Sequence, residues 1–320
     1  MHIKESSERI AQLIADFQLP AEPKNLYDPI RYIMELGGKR VRPVVALQIA
    51  QYLGLEAKAA ESLALSIELF HNFTLVHDDI MDNADTRRGK ATVHSKWDEN
   101  IGILSGDAML IEVYKELLSI KSDNTINLMK RFNAIASMVC EGQQYDMDFE
   151  SSNDVSESDY LEMIRLKTAV LLGYSMESSA ILMGDTALGE TLFTIGQNIG
   201  VSFQIKDDLL DAFPPDENFG KVVGGDIYAA KKTLLYLRLI HSCTEEEKER
   251  IEEIYAFDTR SDEEVMEVRK MMLKYKVPQN VAEVANDYQK KVVEQTNALE
   301  NAELKTFLLT FSSELLSRTV

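Results

Sequence analysis

Residues 57–82 read AKAAESLALSIELFHNFTLVHDDIMD. Leu63, Ile67, Phe70 and Leu75 recur at the spacing of one helix face, and Leu65 and Leu69 widen the stripe. The segment predicts a long α-helix closing on an acidic cluster, Asp78-Asp79-Ile80-Met81-Asp82. Residues four apart on a helix lie one above the other, so Asp78 and Asp82 share a face. Two like charges about 4 Å apart, at an effective dielectric near 20, repel by roughly 4 kcal/mol. The pattern returns at Asp207-Asp208-Leu209-Leu210-Asp211, where Asp207 and Asp211 share a face. A solvated acidic surface accounts for one such cluster. Two, each inside apolar helical sequence and each followed by a basic loop, point to bound divalent cations. Oxygen ligands favour Mg²⁺ or Ca²⁺ over zinc or copper, and few carboxylates per ion with room for phosphate favour Mg²⁺. Neither copy has the alternating ligands and central glycine of an EF-hand.

Proline marks the architecture on either side. The seven prolines lie at 20, 23, 29, 43, 214, 215 and 278, with none between Pro43 and Pro214. Proline costs about 3 kcal/mol inside a helix, so the gap suits a stack of helices. Segments 103–120, 125–149, 157–183, 189–212, 230–241, 244–256, 261–275, 278–299 and 302–317 share the helical periodicity. Ser156 with Asp159, and Ser261 with Glu264, read as capping boxes. The fold class expected is all-α: one domain over 1–320, a bundle of about ten or more helices around a central active-site cavity. Loops are expected over 83–100, with Arg87-Arg88-Gly89-Lys90, over 150–159, and over 213–229, with Gly220-Lys221 and Gly224-Gly225-Asp226.

A composition of 45% hydrophobic residues is ample for a core. The net charge of −19 argues against nucleic-acid binding and against docking on anionic lipid. An anionic substrate would have to be held by metals and a few local bases. Cys140 and Cys243 are isolated, which indicates neither a disulfide framework nor a thiolate metal site. The N-terminal residues lack the apolar core of a signal peptide, and no apolar run approaches the roughly 20 residues that span a bilayer. The expectation is a cytoplasmic protein with no transmembrane segment.

Gly37-Gly38-Lys39-Arg40-Val41-Arg42-Pro43 sets three cations beside two glycines. Glycine lets backbone approach a ligand, and the arginine fork matches phosphate oxygens. The run also reads as an ordinary basic helix start with Pro43 at its first position. Arg87 and Arg88 follow Asp82 closely, and Lys167-Thr168 lies within a helical segment. His71, seven residues before Asp78, falls about 20° off the same helix face. It suits a phosphate donor or a core histidine equally well. There is neither a P-loop nor a GxSxG.

In this order the residues resemble the trans-isoprenyl diphosphate synthases, also called polyprenyl synthetases. The resemblance covers about positions 25–240. GGKRVRP at 37–43 resembles the family's isopentenyl diphosphate motif. His71 with LVHDDIMD, and RRG at 87–89, resemble its first aspartate-rich motif. Lys167-Thr168 resembles its KT motif and FQIKDDLLD at 203–211 its second aspartate-rich motif. Gly220-Lys221 and Asp226 through Thr233 resemble its closing lysine loop. The resemblance implies that Lys39, Arg42, His71 and Arg88 bind the diphosphate of isopentenyl diphosphate. Asp78 and Asp82 would hold two Mg²⁺ ions and Asp207 a third, with Asp79, Asp208 and Asp211 in support. Arg87, Lys167, Lys221 and Lys231 would grip an allylic diphosphate of the dimethylallyl, geranyl or farnesyl type, and Thr168 and Gln204 would face the carbocation. Ala230-Lys231-Lys232-Thr233 departs from the family's usual Gly-Lys-Pro-Thr and leaves open which lysine reaches phosphate.

Phe73 stands five residues before Asp78, about 7.5 Å along a helix. By the resemblance, Phe73 with small Thr74 beside it marks a short-chain enzyme, with C15 to C20 products and C20 favoured. The resemblance also implies a homodimer. A terpene cyclase would lack GGKRVRP and need no isopentenyl diphosphate. A non-catalytic partner subunit would be expected to have lost aspartates that are intact here.

Overall fold

The computed structural model describes residues 3–152, 154–215, 223–257 and 259–317. The chain is all-α, and its strands among the described residues are the two-residue pair β1 (Thr86–Arg87) and β2 (Lys90–Ala91). It divides into two compact units: Met1–Ala134 with Tyr174–Phe193, and Ile135–Gly173 with Thr194–Val320. One aspartate-rich motif falls in each.

The first unit contains α1 (Ile3–Asp16), α2 (Lys24–Glu35), α3 (Val41–Tyr52), α4 (Ala57–Met81), α5 (Val93–Lys96) and α6 (Glu99–Ser119). Helices α1 to α3 lie outside the periodic segments picked out in the sequence. Glu56 starts α4 by accepting hydrogen bonds from the Lys58 and Ala59 amides at 3.0 and 2.9 Å. Leu63 through Phe70 are buried without a break, so α4 is a central helix enclosed on every face. It packs chiefly on α6 and α3. Gly102 and Gly106 allow the close approach of α6: a Cβ at either would strike the Ile80 or His77 side chain. Ile10, Val44, Leu47, Ala60 and Ala64 close the far side. Pro43 is the third residue of α3 rather than its first. Its missing N–H is still one of the four that a helix start leaves unbonded.

The helix α7 (Thr125–Ser151) leads into the second unit. The predicted single helix over 157–183 is interrupted: α8 (Glu157–Ile164) passes through a π turn (Arg165–Ala169) into α9 (Val170–Met183), which from Tyr174 onward belongs to the first unit, as does the start of the next helix up to Phe193. Then come α10 (Thr186–Ala212), α11 (Gly225–Tyr228), α12 (Leu234–Ser242), α13 (Glu245–Ala256), α14 (Asp262–Lys274), α15 (Val277–Asn297) and α16 (Ala302–Ser317). Helix α12 begins four residues later than its periodicity suggests, because Ala230 has a positive φ of 53° that ends any regular run there. Both expected capping boxes are present, and Thr244 with Glu247 forms a third. Ile205, Leu234, Leu239, Ile251, Val268 and Val281 sit in the second unit's core. Each fully buried aliphatic side chain of this kind contributes about 1.5–3 kcal/mol.

Candidate active site

In the first unit the site grows from the last turn of α4. Asp78 is half-buried and Asp82, the helix C-cap, is exposed. Asp79 turns inward, 1% exposed, and accepts from Arg87 Nε at 2.8 and 2.9 Å and pairs with its Nη2 at 2.7 Å. The motif thus leaves two carboxylates at least partly exposed and buries the third against Arg87. Arg87 is brought there by a hairpin in which Thr86 faces Ala91 and Arg87 faces Lys90. The turn residues Arg88 and Gly89 have φ of 54° and 71°, the two positive values that a type I′ turn demands. This hairpin lies within the span expected as a loop over 83–100.

Arg88 donates to the Gly37 carbonyl. Gly38 has a φ of 132°, which strains any residue with a Cβ, and a Cβ there would also come within 2.8 Å of three atoms of the Arg88 guanidinium. Arg42 Nη1 lies 3.3 Å from His71 Nε2. Burial, then the charges of Arg42, Arg88, Arg87 and Arg40, hold the His71 imidazole well below its ordinary pKa. It is therefore neutral at pH 7. Burial also lowers Arg42 and Arg88. Arg40 differs from its neighbours in the basic run. Its φ of 47° turns it under the site, where it donates to buried Glu68 and to the Met34 carbonyl. Asn72 Nδ2 donates to the same Glu68 oxygen at 2.7 Å. Lys39 is exposed. Glu68, Asn72 and the structural role of Arg40 escaped the sequence reading, because an acid on an apolar helix looks like any surface residue until its partner is seen.

One turn before Asp78 the helix is lined with rings. Phe73 contacts Phe70 at 5.6 Å and His77 at 4.8 Å between centroids, and Phe70 meets Phe132 edge-on at 5.1 Å. Thr74 Oγ1 is bonded to the His71 carbonyl at 2.8 Å.

The second unit holds a cleft of about 260 Å³ lined by Asp146, Lys167, Thr168, Gln204, Asp207, Asp208, Asp211, Asp226 and Lys231. The second motif repeats the split of the first: Asp207 is exposed, Asp211 half-buried and Asp208 buried. Asp208 accepts from the Tyr160 hydroxyl and from Gln204 Nε2, the latter at 2.9 Å. Burial, with the charge of Asp226, pushes its carboxyl up to about 7. Burial and Asp211 push Asp226 up to about 6, and Lys231 opposes this. The Asp226 amide donates to Asp211 at 2.9 Å. Lys167 Nζ pairs with Asp146 at 2.6 Å, and Thr168 Oγ1 donates to Gln204 at 3.3 Å. Asp146 and Tyr160 had no motif to announce them. Lys232 is engaged elsewhere, donating to the Glu150 and Ser152 carbonyls at the end of α7. Lys231 and Lys232 both line the cleft, and Lys231 is the one whose charge acts on Asp226. Lys221 lies outside the described residues.

Among the described residues no three His, Cys, Asp or Glu side chains form a ready metal cage. Mg²⁺ is usually held by one or two carboxylates with water and substrate phosphate, which is the donor set that Asp78 with Asp82, and Asp207 with Asp211, provide. Burial is the main reason Asp208 and Asp226 are raised, and neighbouring negative charge, which a cation would relieve, adds to it.

Ala230 stands where the related motif has glycine, and its left-handed φ costs about 1–2 kcal/mol in a residue with a Cβ. Ala230→Gly is expected to raise unfolding free energy by about 1 kcal/mol, the strain relieved less the entropy glycine adds to the unfolded chain. Urea unfolding checks this, and a loss of stability would show that the loop tolerates the Cβ.

The polyprenyl synthetase family model matches residues 23–272. The geranylgeranyl diphosphate synthase of Methanosarcina mazei is 39% identical over 239 residues, 73% of this chain and 74% of that one. The geranylgeranyl pyrophosphate synthase of Geoglobus acetivorans is 34% identical over 99% of this chain and 98% of its own. A crystal structure of a geranylgeranyl pyrophosphate synthase superposes with a TM-score of 0.93 at 41% identity, covering 99% of both chains. No helix among the described residues is long and apolar enough to cross a membrane. With the motifs matched in order and both carboxylate sets in place, this chain belongs to the polyprenyl synthetase family of trans-prenyltransferases.

Proposed function

We propose that the chain condenses isopentenyl diphosphate with allylic diphosphates to an all-trans product of C20. The observation that carries this is the neutral His71 set among Arg40, Arg42, Arg87 and Arg88, a cationic pocket in which Glu68 pairs with Arg40 and Asp79 with Arg87. Such a pocket suits a diphosphate. The similarity to geranylgeranyl diphosphate synthases supports the substrate class and the C20 length. A family model that runs through parts of both units supports reading them as one functional domain, 1–320.

Lys39, Arg42, His71 and Arg88 bind isopentenyl diphosphate, with His71 offering a neutral ring N–H. Lys167, Lys221 and Lys231 bind the allylic diphosphate, and Arg87 fixes Asp79 and adds positive charge beside the aspartates. Asp78, Asp82 and Asp207 would hold three Mg²⁺ ions, with Asp79, Asp208 and Asp211 behind them. The metal supplies Lewis-acid stabilisation of the charge left on the departing diphosphate. The lysines stabilise that same charge without reorganising. Thr168 and Gln204 direct their oxygens toward the allylic cation. The released diphosphate can accept the final proton. The test is incubation with isopentenyl diphosphate and each of the dimethylallyl, geranyl and farnesyl primers. Turnover of a primer with no isopentenyl diphosphate present would favour a cyclase instead.

Phe73 sets the product length by closing the path along α4. Phe73→Ala opens that path, and the product is expected to lengthen by at least about one isoprene unit, since side-chain volume removed from a packed site leaves space. Chromatography of dephosphorylated products reads this, and an unchanged length would remove Phe73 from the role.

The chain acts as a homodimer in the cytoplasm. Support for the dimer comes from α6, where Leu104, Ile111 and Leu118 are 60%, 57% and 59% exposed and recur at heptad spacing along one face. A second copy of this helix is the matching occupant of such a stripe. Leu104→Glu with Ile111→Glu is expected to give a monomer by light scattering, whereas an unaltered dimer mass would place the interface elsewhere.

A further inference from the structure

Lys167 and Thr168 sit on the π turn Arg165–Ala169. A π turn inserts one residue into a helix and is uncommon without support. Two glycines provide it. A Cβ on Gly142 of α7 would lie 2.7 Å from both the Leu166 carbonyl carbon and Lys167 Cα, and nearer still to the Lys167 nitrogen. A Cβ on Gly200 of α10 would lie 2.6 Å from Ala169 Cα and 2.7 Å from its Cβ. These are backbone atoms or a Cβ fixed to backbone, and they cannot rotate aside. The same two helices hold the turn's side chains one helical step further on. Asp146, four residues past Gly142, pairs with Lys167, and Gln204, four past Gly200, accepts from Thr168. Gln204 in turn donates to Asp208.

We propose that Gly142 and Gly200 are positioning residues for Lys167 and Thr168. By their lack of a side chain they fix the depth at which the π turn sits, and so the point where the lysine ammonium meets the allylic diphosphate. This rests on the assignment of Lys167 to that diphosphate. Carbon atoms pack at about 3.5–4.0 Å, so alanine at either position must displace the turn by about 1 Å. A displacement of that size costs on the order of 100-fold when it moves a group that orients substrate. The residues assigned to isopentenyl diphosphate lie on α3, on α4 and in the hairpin, and their substrate is expected to be bound as before.

The experiment is a double-mutant cycle with Gly142→Ala and Lys167→Met. It measures KM for geranyl diphosphate and for isopentenyl diphosphate, together with the calorimetric Kd of geranyl thiodiphosphate. Each single change is expected to raise the allylic KM and Kd at least about tenfold and to leave the isopentenyl diphosphate KM within about twofold. If the glycine acts through the lysine, adding Gly142→Ala to Lys167→Met costs no more than about a further twofold. A full, additive loss in the double variant overturns the proposal, as does a normal allylic Kd in Gly142→Ala. If Lys167→Met itself changes neither allylic constant, the reading of Lys167 falls and the proposal with it. Gly200→Ala replaces Gly142→Ala if the latter is insoluble, and loss of folded protein in both marks the glycines as architectural only and also overturns the proposal.

Discussion

Asp78→Ala and Asp207→Ala each lower kcat by on the order of 10³-fold, the scale seen when a group that stabilises transition-state charge is removed. Asp78 is half-buried and Asp207 exposed, so both carboxylates reach solvent. The loss is expected without collapse of the fold. Asp79 and Asp208 contrast with them: both are buried and hydrogen-bonded, so their removal damages the protein as well as the chemistry. Steady-state kinetics at saturating Mg²⁺, beside thermal unfolding, separate the two classes. If Asp78→Ala or Asp207→Ala kept activity within about tenfold of the parent, these aspartates would not be stabilising charge in the transition state.

Glu68→Ala is expected to cost about 3–5 kcal/mol of stability, the cost of stranding a buried partner charge. Glu68 and Arg40 are 1% and 10% exposed, and Arg40 would keep only the Met34 carbonyl. The network also ties the basic run to α4, so affinity for isopentenyl diphosphate is expected to fall with it. Glu68→Gln retains an acceptor for Arg40 and Asn72, and its cost should be closer to about 1–3 kcal/mol. Denaturant titration compares the two. A change below about 1 kcal/mol in Glu68→Ala would mean that solvent reaches Arg40 once the carboxylate is gone.

Much of this was legible from residue order. The stripe from Leu63 to Leu75 located α4 to within a residue at its end, since burial on a central helix leaves an unambiguous apolar record. Capping chemistry located the starts of α8 and α14. The π turn was not legible. One inserted residue shifts a helical pattern by only about 100°, and the stripe on either side of it stays apolar. Of the residues singled out by their motifs, Lys167, Gln204 and Asp207 line the cleft. That Arg87 belongs to Asp79, Lys232 to the end of α7 and Arg40 to Glu68 depends on side chains distant in sequence, and one chain read alone carries no record of such pairs.

The four guanidinium groups around His71 have a consequence at the bench. Arg40 and Arg87 are paired with Glu68 and Asp79, but burial still disfavours the charged Arg42 and Arg88 and like charge adds to this at Arg88, so this corner of the fold is under electrostatic tension in plain buffer. Phosphate, sulfate or pyrophosphate salts should relax it, raising the melting temperature while competing with substrate. Storage in such salts and assay in their absence would make opposite use of the same property.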